Sequence, residues 1–141
     1  MVAILKKIAY IVKIFSYPLY MKIIERVYRR SGVEFTGTPE YIDLEVTFDA
    51  SGGVTLGDNI VISTDVVILS YDKLFDKRMP VYIGDDTFVG AKVCILPGTT
   101  IGKCCIIGAG AVVSGVVEDY SIMVGNPAKR IGDTRDGSCL E

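Results

Sequence analysis

The chain has 141 residues, a formal charge of −2 and no histidine. That length suits one domain with a single core, and a sequence half apolar and 23% charged is neither disordered nor collagen-like. Without histidine there is no imidazole-based triad, no usual catalytic zinc site and no histidine pH switch. The four cysteines, Cys94, Cys104, Cys105 and Cys139, make no C-x-x-C pair, so no metal site is expected.

Residues 1–32 read as an N-terminal helical segment. Ile4, Ile8, Ile11 and Phe15 recur at helical spacing, with Lys6, Lys7 and Lys13 off that face. Pro18 breaks the run, and a second helix carrying Leu19, Ile23 and Val27, with Glu25, Arg26 and Arg29, is expected after it. The uncharged stretch Ile14–Met21 falls far short of the ~20 residues that span a bilayer. No A-x-A cleavage site follows it, so a cytoplasmic chain is expected. Charge is unevenly divided, +6 over residues 1–30 and −8 over the rest. An acidic body speaks against nucleic acid as a partner. Two readings of the helices stay open. They cap the rest of the protein or a neighbouring subunit, or they form a basic amphipathic element in peripheral contact with the inner face of an anionic membrane.

From residue 44 an apolar position returns every six residues: Leu44, Ala50, Leu56, Ile62 and Ile68, then Ile83, Val89, Ile95, Ile101, Ile107 and Val113. Ten of the eleven are Leu, Ile or Val, too regular for chance. Glycine often follows, as at Gly57, Gly84, Gly90, Gly102 and Gly108, where it is expected to supply a positive φ. A second small or β-branched residue comes four positions after each aliphatic, among them Thr87, Val93, Thr99 and Cys105. One inward aliphatic, a tight turn and a second inward residue make a short strand and a corner. Three such units close a triangular coil, and stacked coils bury the core that none buries alone. Leu96-Pro97-Gly98 supplies corner chemistry, with glycine accepting the left-handed position.

Between Ile68 and Ile83 the spacing is three residues longer than two repeats, so a loop leaves the solenoid near residues 71–80. Loops extruded from rigid scaffolds are where binding residues gather. The solenoid is assigned to 33–131, closed by the turn-rich Val124–Ile131 stretch, with 132–141 as a C-terminal tail.

The segments VYIGDDTFVGAKVCILPGTTIGKCCIIGAGAVVSG (81–115) and VGNPAKRI (124–131) resemble the hexapeptide-repeat acyltransferases, which include maltose, galactoside and serine acetyltransferases. The resemblance implies an all-β solenoid, a left-handed parallel β-helix, that works as a homotrimer with sites between subunits. It implies acetyl-CoA as co-substrate and a sugar acceptor. Matching motif positions place the pantetheine arm beside Phe88, Gly90, Ala91, Gly108 and Ala109, with Ser114 further along the groove. Lys129 and Arg130 would then lie near the CoA phosphates. In the loop, Asp76 and Arg78 are candidates for holding the acceptor. Cys105 fills an inward position and reads as packing, and a thiol carrier would need a nearby base that is not evident.

The family's histidine has no counterpart. The matching segment is Ile68-Leu69-Ser70-Tyr71-Asp72, with tyrosine in its place. Tyr71 and Asp72 are the candidate catalytic residues, yet a neutral tyrosine is a poor base at pH 7 and a carboxylate is a weak one. A hydroxyl acceptor must lose its proton as it attacks, and general-base help is worth roughly 10²–10⁴-fold. An amine attacks through its own lone pair and can forgo that help. The expectation is therefore an N-acetyltransferase of an amino sugar, nucleotide-linked and destined for O-antigen or capsule. A sugar O-acetyltransferase with a substitute base, or a non-catalytic trimeric scaffold, are the alternatives.

Overall fold

In the computed structural model, which describes residues 2–136, two helices lead into a parallel β-solenoid. Helix α1 spans Val2–Phe15 and α2 spans Tyr17–Arg30. Ser16 between them is extended, and Pro18 sits in the first turn of α2, where a missing N–H costs nothing. Gly32, at φ +92°, ends the helical segment in the left-handed region.

The solenoid is built of coils of three short strands. The first face stacks Val33–Phe35, Val54–Leu56, Val81–Ile83, Thr100–Ile101 and Val116–Val117. The second stacks Tyr41–Ile42, Val61–Ile62, Phe88–Val89, Ile106–Ile107 and Ser121–Val124, and the third Thr47–Asp49, Val67–Leu69, Cys94–Ile95 and Val112–Val113. Every pairing within these stacks is parallel. Like residues therefore pile up in register. Ile42, Ile62, Val89 and Ile107 form one fully buried column, and Ile68, Ile95 and Val113 another. The second inward residue forms corner columns, such as Ile60, Thr87, Cys105 and Ser121. There the Thr87 hydroxyl donates to the Gly102 carbonyl and the Cys105 thiol lies 3.2 Å from the Glu118 carbonyl, so buried polar atoms bond along the axis.

Three expectations need correction. The first coil starts at Val33, as assigned, but within it Phe48, not Ala50, pairs with Ile68. The coil that precedes the strict repeat keeps the register by pairing while its spacing drifts. The glycines after each aliphatic do not supply the positive φ. That role falls two residues later, to Asn59, Asp65, Asp86, Lys92 and Cys104, with φ between 50° and 60°. Gly84 is needed for closeness instead: a Cβ there would stand 2.7 Å from the Gly102 carbonyl carbon, inside the neighbouring coil's backbone. The expected Leu19–Ile23–Val27 stripe is not the buried face of α2. Tyr20, Ile24 and Tyr28 are, together with Met21. An open solenoid end presents unpaired carbonyls, and tyrosines can satisfy them as leucines cannot. The Tyr20 hydroxyl donates to the Ile42 carbonyl at 2.8 Å, and Tyr28 to Val46 at 3.1 Å. Helix α2 is thus the cap on the first coil.

Candidate functional site

Where the repeat is interrupted, the chain folds out as a two-stranded hairpin, Tyr71–Asp72 against Lys77–Arg78. Its base is pinned by Ser70, which is fully buried. The Ser70 hydroxyl donates to the Asp49 carbonyl and accepts the Gly52 N–H at 2.8 Å, while the Met79 N–H donates to the Ser70 carbonyl. Gly52 has no room for a side chain, since a Cβ would fall 2.0 Å from the Ser70 oxygen. A rigid coil therefore holds the hairpin at its root while its tip, Leu74 and Phe75, stands in solvent.

The hairpin walls a groove of about 810 Å³ along the corner after the third face. Successive coils build its floor: Asp49, Leu69, Leu96 with Pro97, and Ser114. The hairpin adds Tyr71, Asp72, Lys73 and Met79. Tyr71, Asp72 and Ser114 thus come together, although the sequence had placed Ser114 along the groove of Ala91 and Ala109. Asp49, Leu69, Lys73, Met79, Leu96 and Pro97 were missed. For Asp49, Leu69 and Leu96 the signal was the position just after each inward residue of the third face, which the repeat itself marks.

The other candidates lie elsewhere. Phe88 is half-exposed on the second face, and Gly90-Ala91 and Gly108-Ala109 turn the corner between the second and third faces. They stack directly, Gly90 N–H donating to the Ile107 carbonyl and Gly110 N–H to Ala91. The Val124–Ala128 turn, with Asn126–Pro127 cis, covers the top of this corner through Val112 N–H to Gly125 and Ala128 N–H to Val112. Ser114 and Ala109 therefore lie beyond opposite ends of the same strand, Val112–Val113. Lys129 and Arg130 open the strand Lys129–Asp133, antiparallel to Ser121–Val124. The Arg130 guanidinium already pairs with Glu118 at 3.1 Å and Asp133 at 3.0 Å.

The hairpin's side chains define what the groove can do. The Tyr71 hydroxyl donates to the Asp76 carboxylate, and that hydrogen bond pushes the phenol's pKa further up, with slight desolvation helping and Arg78 opposing. One Asp72 oxygen is engaged by the Leu74 and Phe75 amides at 2.9 and 3.2 Å, which shapes the turn. Arg78 sits opposite Tyr71 in the hairpin, and Asp76 takes a φ of 50°. The arrangement holds a phenol as a hydrogen-bonding group and leaves it a poor proton acceptor. Cys105 offers no substitute, because burial raises its thiol pKa. Cys139 lies outside the described residues.

Comparison with known proteins bears on the fold and the repeats. Residues 80–115 match the family described as bacterial transferase hexapeptide (six repeats), and residues 47–70 the hexapeptide repeat of succinyl-transferase. A probable acetyltransferase of Mycobacterium tuberculosis is 37% identical over 73% of the chain. The chain spans 48% of that relative's length. Among solved structures, a hexapeptide-repeat-containing acetyltransferase of Vibrio cholerae superposes with a TM-score of 0.63 at 17% identity, covering 94% of this chain and 92% of its own. AntD, an N-acyltransferase from Bacillus cereus in complex with dTDP and 3-hydroxybutyryl-CoA, gives 0.60 at 18% identity over 72% of this chain and 64% of its own. The solenoid matches the left-handed β-helix of such acetyltransferases.

Proposed function

As this chain is a member of the hexapeptide-repeat acetyltransferase family, we propose that it transfers the acetyl group of acetyl-CoA to a sugar amine. The observation that carries the reading is the Tyr71 hairpin: the position where the family places its imidazole base holds a phenol tied to Asp76. A hydroxyl acceptor would forgo roughly 10²–10⁴-fold of general-base assistance there. An amine near pKa 8 is partly neutral at pH 7 and attacks the thioester carbonyl with its own lone pair. The thiolate of CoA leaves, and the ammonium proton of the adduct passes to solvent. A backbone N–H facing the thioester oxygen would stabilise the tetrahedral intermediate. Asp49 on the groove floor and Asp72 on its wall suit an amine-bearing acceptor, and nucleotide-linked amino sugars of surface polysaccharides are the class we assign.

The pantetheine arm is assigned to the Ala91–Ala109 corner. With Arg130 already paired, Lys129 is the cation left for a CoA phosphate. The exposed hairpin tip and the half-exposed Phe88 and Tyr82 give the outer surface an apolar character that a neighbouring subunit would cover, so the working form is assigned as a homotrimer.

Free thiol release in the presence of acetyl-CoA and a panel of nucleotide-linked amino sugars and plain sugars tests the reading. Turnover is expected with the amines, and Tyr71→Phe should keep activity within about fivefold, the ~1 kcal/mol of one hydrogen bond. Turnover restricted to hydroxyl acceptors, with at least a hundredfold loss in Tyr71→Phe, would overturn it. Tight acetyl-CoA binding with no turnover on any acceptor would instead favour a scaffold. Ala109→Trp should abolish acetyl-CoA binding with the fold intact, and a monomer at micromolar concentration would exclude the shared site.

A further inference from the structure

Helix α2 caps the first coil, but the outward face of α1 is left uncovered. Ile4, Ile8, Ile11 and Phe15, spaced as one helical stripe, are 63%, 47%, 56% and 82% exposed, and Ile14 beside them is 67% exposed. A soluble surface seldom keeps so continuous an apolar strip without a partner. Alongside it runs a second stripe, Lys22, Arg26 and Arg30, at four-residue spacing on α2. The two stripes meet in a groove of about 340 Å³ with an apolar floor that includes Ile8, Leu19 and Ile23 and a rim of those three cations. Among the described residues none of the three makes an ion pair. Lys13, by contrast, is drawn to the solenoid by Tyr41 and Asp43, which holds α1 with its apolar stripe turned outward.

We propose that the helical pair docks in the plane of an anionic phospholipid bilayer, with the α1 stripe among the acyl chains and the Lys22–Arg26–Arg30 stripe on the headgroups. Neither helix is long and apolar enough to cross a bilayer, so the contact is interfacial. Charge selects this occupant over a second copy. A two-fold contact through the face would press the cationic stripe against itself, whereas anionic headgroups meet every cation with opposite sign. The acidic remainder, at −8, is repelled by the same surface, which fixes which end of the molecule approaches it. Docking here leaves the hairpin groove free, so the proposal stands independently of the acyl-transfer assignment.

The test is co-sedimentation of the full chain with vesicles of phosphatidylglycerol and phosphatidylcholine, against vesicles of phosphatidylcholine alone. The chain should pellet with the anionic vesicles, less so as salt shortens the screening length, and stay in solution with the neutral ones. Each cation near the surface is worth roughly fivefold. Lys22→Glu with Arg26→Glu and Arg30→Glu should therefore lower partition by more than about a hundredfold. Ile8→Ser with Ile11→Ser and Phe15→Ser should abolish it, and both triple variants should keep the parent's lipid-free sedimentation coefficient. Equal partition onto neutral vesicles, or none onto anionic ones, would overturn the proposal. So would a lower lipid-free sedimentation coefficient in the serine variant, which would give the face to another copy of the chain.

Discussion

The solenoid and the first helix are both rich in isoleucine, and they treat it in opposite ways. Ile42, Ile62, Ile68, Ile95 and Ile107 are completely buried, while Ile4, Ile8, Ile11 and Ile14 are between 47% and 67% exposed. In the solenoid each inward residue meets an identical position from the coils above and below, so one repeat guarantees its neighbour's contact. In α1 a helical spacing likewise defines a face but provides no second surface to meet it. Periodicity shows which side of an element is apolar; only the fold decides whether anything covers it.

Substitutions can break this contrast or sharpen it. The largest effect is expected at a stacked position: Ile95→Ala should cost about 2–5 kcal/mol, read as a lower urea midpoint, because the columns on either side cannot collapse into the gap. Ser70→Ala should cost less, about 1–3 kcal/mol, since the Gly52 N–H and the Asp49 carbonyl lose a buried partner. The loosened hairpin should also raise KM for the acceptor more than it lowers kcat.

The attachment of α1 should respond to acid. Desolvation works to raise the Asp43 pKa, but hydrogen bonds from Tyr41 and the Glu45 amide, and the nearby Lys13 ammonium, outweigh it and hold the group below its ordinary value. A depressed carboxylate contributes fully above its unfolded pKa of about 3.9 and loses that contribution as pH falls through the lower folded value. Hydrogen exchange in α1 should accelerate across that window by a factor matching about 1 kcal/mol or less, and Asp43→Asn should show no such step. The smallest effect belongs to the exposed stripe. Ile11→Ser should leave the urea midpoint within about 0.5 kcal/mol of the parent. A cost approaching that of Ile95→Ala would show that the face is covered, and the contrast would fail.

Much of the coil architecture was legible. From Leu56 to Val113 the six-residue spacing and the later small residue named the inward positions, and Gly98 took the left-handed corner expected of it. The stacking of the first coil was not legible, because the step from Phe35 to Ile42 is seven positions rather than six and no repeat reveals that they stack beneath Leu56 and Ile62. The glycines misled because one property was weighed, conformational freedom, where another decided, the absence of a Cβ beside the next coil. At the site, Tyr71 stood out by replacing an expected histidine, and the hairpin by interrupting the count. Asp76 as the partner of the Tyr71 hydroxyl, and Asp72 as a turn acceptor, were not readable, since a hairpin's register sets them and its four-residue tip carries no pattern.

The sequence by itself determined the repeat, the inward columns, the place where the chain leaves the solenoid and the absence of an imidazole anywhere along it. These are local or periodic properties, and any fold that buries the columns must respect them. Only the tertiary structure decided that tyrosines rather than leucines cap the open coil, and that Ser114 lines the hairpin groove while Ala109 does not. It also decided that Arg130 is already paired and that the apolar stripe of α1 faces away from the body. Each depends on which surfaces the stacking brings within a hydrogen bond of each other, and separation along the chain does not encode that distance.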